Sequence, residues 1–246
     1  FPYTTLFRSW LQMPPRNVVP KPYQKPHPPL WVACTQRETI RLAATKGIGA
    51  LSFGFVEPGE AEEWVGEYYD TIASDACVPA GFAVNANVAC VLPFMCHDDE
   101  QEAIDRGLDG AHFFGYSLGH FYGFGNHQPG VTDIHEQFLA NRTAFGFDRE
   151  TAAQVGVGLR ARMKKEVNGV DEGIASLRGA IGTPDQIRDL LLDYEAAGVD
   201  QVIFISQAGH NRHEHICESM ELFAREVMPE FAERDRAHVA AKEARL

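Results

Sequence analysis

Four short apolar runs, each followed by a helical pattern, constrain this chain more than any other feature. Leu30-Trp31-Val32-Ala33-Cys34 is apolar without alternation, as expected of a strand covered on both faces. Ala50-Leu51-Ser52-Phe53, the longer stretch 82–94 and Gln201-Val202-Ile203-Phe204-Ile205 repeat the signal. The intervening helices read as 35–46, 60–74, 98–118 and 212–243, with another over 184–197 before the last strand. Strand–helix alternation of this kind predicts a parallel α/β fold. The pattern suits part of a (β/α)8 barrel or an open sheet, and leans to the barrel.

Local signals sharpen the elements. Thr35 is the expected N-cap of the first helix, with Glu38 closing a capping box and Gly47 ending it. Ile40, Ala43, Ala44 and Leu42 are its candidate inward positions, and Trp64, Tyr68 and Ile72 those of the second helix. Asn85 and Asn87 share a face of the third strand and are expected at its polar end. Gly182-Thr183-Pro184-Asp185-Gln186 is a complete start signal, and Ile187, Leu190, Leu191 and Tyr194 form its apolar stripe. Ile216, Met220, Phe223 and Val227 form the stripe of the final helix, which Pro229 interrupts. Residues 111–130, dense in aromatics and glycines, read as a loop or broken helix, followed by helices near 133–145 and 149–165. The segment 111–180 is thus an insertion before the last strand.

Composition excludes several classes. The net charge is −12, and residues 1–48 hold seven Lys/Arg against one Asp/Glu, so the rest carries about −18. No basic footprint for nucleic acid exists. No run of eighteen apolar residues is present to span a membrane. Cys34, Cys77, Cys90, Cys96 and Cys217 are odd in number and lack CxxC spacing, which suits free thiols and a cytoplasmic protein. No Gly-x-Gly-x-x-Gly turn marks a dinucleotide site. His210, His213 and His215 have a metal-like spacing without an identifiable fourth ligand, and solvent-exposed histidines are the expectation. Phe1 to Ser9 resembles a translated sequencing adapter and is expected to lie outside the fold, with the natural sequence starting near Trp10.

Longer motifs carry a resemblance. Pro20-Lys21-Pro22, Gln24-Lys25-Pro26-His27-Pro28-Pro29-Leu30-Trp31-Val32-Ala33, Gly182-Thr183-Pro184, Ala197-Gly198-Val199-Asp200, Ser219-Met220-Glu221-Leu222-Phe223 and Val227-Met228-Pro229 resemble the bacterial-luciferase-like flavin-dependent monooxygenases, over about residues 17–231. The resemblance implies the C-terminal half of a TIM-like (β/α)8 barrel, residues 10–246, with the first four strands and the usual catalytic residues lying elsewhere. It implies reduced FMN at the strands' C-terminal ends, dioxygen, a small organic substrate, a separate flavin reductase and a homo-oligomer. A branch using F420 for hydride transfer has the same fold and stays open. Thr35, Gln36 and Thr39 sit where a helix N-terminus attracts phosphate, and the resemblance implies that they hold that of FMN. Gln207, Ala208 and Gly209 follow the last strand and would let a flavin approach the backbone. His112, Tyr116, His120, Tyr122 and His127 are the candidate substrate wall. A metal-dependent barrel hydrolase and a non-enzymatic remnant are the competing functions. A half-barrel alone would leave Leu30, Val32, Leu51, Val88, Val202 and Phe204 among the residues short of partners, so aggregation, edge-to-edge association or a molten state is expected.

Overall fold

The computed structural model describes residues 17, 19–34, 36–53, 58–145, 147, 160–162, 166–167, 170–171 and 175–246. The order is β1 (Trp31–Cys34), α1 (Arg37–Thr45), β2 (Gly49–Phe53), α2 (Pro58–Ile72), β3 (Val88–Cys96), α3 (Glu100–Gly119) and a π-helical turn (His120–Phe124). Then come α4 (Ile134–Asn141), β4 (Arg160–Arg162), β5 (Glu166–Val167), β6 (Val170–Asp171), β7 (Ala175–Leu177) and β8 (Ala180–Gly182). The chain closes with α5 (Pro184–Ala196), β9 (Gln201–Ile205), α6 (His213–Glu226) and α7 (Met228–Arg245).

β1, β2, β3 and β9 form one parallel sheet in that spatial order, with successive strand–helix units side by side. β8 adds in parallel to the last three residues of β3. This sequential winding is that of a barrel wall. β3 is apolar and buried along all nine residues. Its Val88, Cys90, Leu92, Phe94 and Cys96 share a core with Ile40 and Ala44 of α1, Val65 and Tyr68 of α2, Ile187 and Tyr194 of α5, and Leu222 of α6. Met95 instead joins Ile181 and Ile104 and Leu108 of α3. Gly107 makes that contact possible, because a Cβ there would lie 2.5 Å from Met95 Cβ.

Several expectations are corrected. The N-cap of α1 is Gln36, extended at φ −137° and ψ 153°, and its side chain makes no capping bond. The expected cap Thr35 lies outside the described residues, as do residues 1–16. Leu42 is exposed while Ile40, Ala43 and Ala44 are buried. β3 begins at Val88, not at 82, because Asn85 and Asn87 spend their side chains on loop bonds: Asn85 Nδ2 donates to Leu30 O at 2.9 Å and Asn87 Nδ2 to Asn85 Oδ1 at 2.6 Å. The helix read over 98–118 is present as α3, ending at Gly119, and His112 and Tyr116 bury their rings one turn apart on it. The helix read over 133–145 ends at Asn141. Of 149–165, residues 160–162 are strand paired with 175–177, and 148–159 lie outside the described residues. Met220 points outward, and Ser219 and Leu222 take the buried places on α6. α5 is as expected, with the Thr183–Gln186 box complete and Pro184 in the first turn.

The sheet's N-terminal end is tied by a polar cluster. Asp200, just before β9, accepts from Tyr69 Oη at 2.5 Å, Val88 N at 2.6 Å and Lys242 Nζ at 3.0 Å, and lies 3.1 Å from His238 Nε2. Lys242 also donates to Asn87 Oδ1 at 2.8 Å. α7 is thereby fastened to the entries of β3 and β9.

Candidate functional site

The C-terminal ends of the parallel strands gather the turns that carry the candidate residues. At β1, the α1 N-terminus presents an exposed Gln36 and a half-buried Thr39. Thr39 N and Ile40 N donate to Gln36 O at 3.1 and 3.4 Å, so the first turn is formed and the dipole's positive end faces this rim. Arg37 does not serve the rim: its guanidinium bonds Glu63 and Glu67 on α2. Those bonds raise the Arg37 pKa, Glu63 contributing most, and the Arg41 and Arg37 bonds lower that of Glu67. Glu38 is the acidic residue of the first turn, which disfavours an anion beside it.

At β9, Gln207 is exposed and Ala208 and Gly209 are half-buried. Gly209 has φ +56°, and a Cβ there would meet Phe113 Cδ1 at 3.4 Å and Gly110 Cα at 3.5 Å. The positive φ calls for glycine there, and the contacts that a Cβ would make with α3 are ordinary van der Waals ones. Asn211 holds the turn by donating to Ser206 O at 2.9 Å. The two candidate cofactor turns stand at one rim but on strands three steps apart, about 14 Å at the usual strand spacing of about 4.8 Å.

The aromatic candidates split. His112, Tyr116 and His120 are buried on α3 and the π-helical turn. Tyr116 lies 5.6 Å from both the Phe138 and Phe145 rings, and His112 5.4 Å from Phe147. Burial raises the Tyr116 pKa, with an Asn141 side-chain bond opposing it. His120 reaches His127 at 5.7 Å between centroids, but Tyr122 is 88% exposed. His210 stacks on His135 of α4 at 3.9 Å, and His213 lies 3.5 Å from Cys217 Sγ.

Burial holds the thiols at this rim toward their protonated form. Cys34 and Cys96 end β1 and β3, and burial raises both pKa values, that of Cys96 to about 12. Cys96 N donates to Ser219 Oγ at 2.6 Å. His97 Nδ1 accepts from Asp99 N at 3.0 Å, while Asp99 caps α3. Among the described residues no three His, Cys, Asp or Glu side chains gather as metal ligands.

Two features went unread in the sequence. Arg178, 2% exposed, donates to Ile181 O at 3.0 Å and to Glu100. Glu100 also accepts from Gln186 Nε2 at 2.9 Å, which joins α3, β8 and α5 beneath the rim. The Asp200 cluster is the other. A charged residue beside a strand was the available signal in each case, and it does not reveal its distant partner.

Comparisons agree with this architecture. The chain is 25% identical over 233 residues to the oxygenase component of the flavin-dependent trigonelline monooxygenase of Acinetobacter baylyi, covering 92% of this chain and 56% of that protein. The monooxygenase RslO1 of Streptomyces bottropensis superposes with a TM-score of 0.51 at 19% identity, over 87% of this chain and 51% of that one. The F420-dependent tetrahydromethanopterin reductase of Methanopyrus kandleri gives 0.47 at 20% identity, over 82% and 51%. The chain spans about half the length of the relatives it matches. A luciferase-like monooxygenase family profile matches residues 7–201, most of the chain, and the protein therefore belongs to that family.

Proposed function

We propose that the protein acts as the oxygenase part of a two-component flavin-dependent monooxygenase, receiving reduced FMN from a separate reductase and using dioxygen on a small organic substrate. The alignment of nearly all of this chain with a flavin-dependent oxygenase component carries the reading. Reduced flavin would supply the electrons that activate dioxygen, and the protein would bind it, orient it and keep water out.

The α1 N-terminus would offer a phosphate the positive end of the helix dipole and the Thr39 hydroxyl, against the charge of Glu38. Thr35, from the same turn, belongs to this proposed set. At β9 the proposed set is Gln207, Ala208 and Gly209, the last at φ +56° beside Phe113 of α3. His112, Tyr116 and His120 form the dry wall behind the rim, and Tyr122 and His127 its solvent side. Five free cysteines suit a reducing compartment, so the reading places the protein in the cytoplasm.

Anaerobic titration with reduced FMN and, separately, reduced F420, followed by mixing with oxygen, tests the proposal. Saturable binding of reduced FMN, with altered reoxidation kinetics, is expected. Preferential binding of reduced F420 would replace it with hydride transfer, and binding of neither would reject it.

A further inference from the structure

We propose that His135 and His210 are positioning residues, whose stacked rings hold the candidate substrate wall and the candidate cofactor turn at a fixed separation. The two imidazoles lie 3.9 Å apart between centroids, tilted by 32°. His135 is half-buried in the first turn of α4, and His210 is exposed in the turn after β9. His135 also lies 5.1 Å from Phe113 of α3, so one ring joins three elements.

The spacing on α4 explains the junction. His135 and Phe138 are three apart and share a face of the helix. Phe138 packs on Tyr116 of the wall at 5.6 Å and on Phe113 at 5.7 Å. One face of α4 therefore touches the wall at Phe138 and the cofactor turn at His135. The turn is shaped by its own bonds, with Asn211 Nδ2 donating to Ser206 O at 2.9 Å and Asn211 N to Ala208 O at 3.3 Å. α3 presses on the same turn, since a Cβ at Gly110 would lie 2.5 Å from Asn211 Oδ1. The histidine pair carries the contact from α4 to that turn, which holds Gln207, Ala208 and Gly209.

The residue type adds a condition. Two phenylalanines would keep this contact at every pH. Two imidazoles keep it only while at least one is neutral, because two imidazolium rings at this separation repel. Charged groups on the packed elements are engaged elsewhere. Asp133 Oδ1 accepts from Glu136 N at 2.9 Å, Asp109 pairs with Arg142 at 2.8 Å, Glu214 pairs with Arg212 at 3.6 Å, and His213 lies on Cys217. Glu136, beside His135 in sequence, is exposed. Acid therefore loosens the pair and frees the turn from α4. The role at the cofactor turn rests on the flavin reading, whereas the clasp itself does not.

Hydrogen exchange of the whole chain at about pH 8 and about pH 5, corrected for intrinsic rates, tests the clasp. His210→Ala and His135→Ala should speed exchange of both 207–211 and 134–141 about tenfold at the higher pH, the scale of a lost aromatic pair. His135→Phe keeps a ring without a charge and should match the native chain there. The native chain should loosen in both segments at the lower pH, and His135→Phe should not. Titration with reduced FMN reads the positioning. Affinity should fall about tenfold in the alanine variants and return in His135→Phe. At the lower pH the native chain should lose affinity relative to His135→Phe, which carries every pH effect common to both. Unchanged exchange in both alanine variants, loosening confined to one segment, or an equal pH response in the native chain and His135→Phe would overturn the proposal. So would exchange as expected with FMN affinity unmoved. A native chain that shows the expected exchange but binds no FMN would reject the flavin reading alone.

Discussion

Cys34, Cys90 and Cys96 line one side of the sheet, and burial pushes the last two thiols up to about 12. They are expected to resist alkylation in the native protein, whereas the half-buried Cys77 and Cys217 should react first. Mass spectrometry of briefly alkylated protein would show this ranking. Thr39→Val removes a hydroxyl while keeping the shape. If that hydroxyl holds the cofactor phosphate, FMN affinity should fall by about 1–3 kcal/mol, read by titration with folding intact. Glu100 has its pKa lowered, chiefly by Arg178 and then by Gln186. Its contribution is therefore present above the unfolded carboxylate value and lost as pH falls through the lower folded value. Glu100→Gln should be less stable than the native chain at pH 7, and the gap in urea midpoint should narrow toward pH 3.

At the scale of elements, α5 was legible because each of its signals is local: Thr183, Pro184 and Gln186 within four residues, then a stripe of buried side chains. Thr183→Ala should cost about 1 kcal/mol, measured as a shift in denaturant midpoint at constant slope. α3 was read as a helix over 98–118, but the packing that its glycines serve was not. Its glycines count against a helix locally, but Gly107 and Gly110 are where Met95 and Asn211 approach, a tertiary fact invisible along the chain. The start of β3 failed similarly: period-two alternation through Asn85 looked like strand, while the asparagine side chains had loop partners. At the rim, residue type and position located the two turns. They did not reveal that Gly209 takes a positive φ beside Phe113 of α3.

For the whole molecule, four strands and their parallel direction were readable from apolar runs and intervening helices, and the structure adds their register. The Asp200 cluster divides labour between the two ends of the sheet. Asp200→Asn should loosen α7 and lower the unfolding midpoint, because it removes the charge facing Lys242. FMN affinity should stay unchanged as long as the chain is folded, since the rim is at the other end. Parallel calorimetry and flavin titration would separate the two effects.

The pairing of β3 with β9 has a consequence for synthesis. Gln201 follows Cys96 by 105 positions, so the most apolar strand emerges from the ribosome long before that neighbour exists. At about 5–20 residues per second, the wait is about 5–20 s. Through that interval the nascent chain must carry the β9-facing edge of β3 unprotected, and this is when a chaperone that shields hydrophobic strands would be needed.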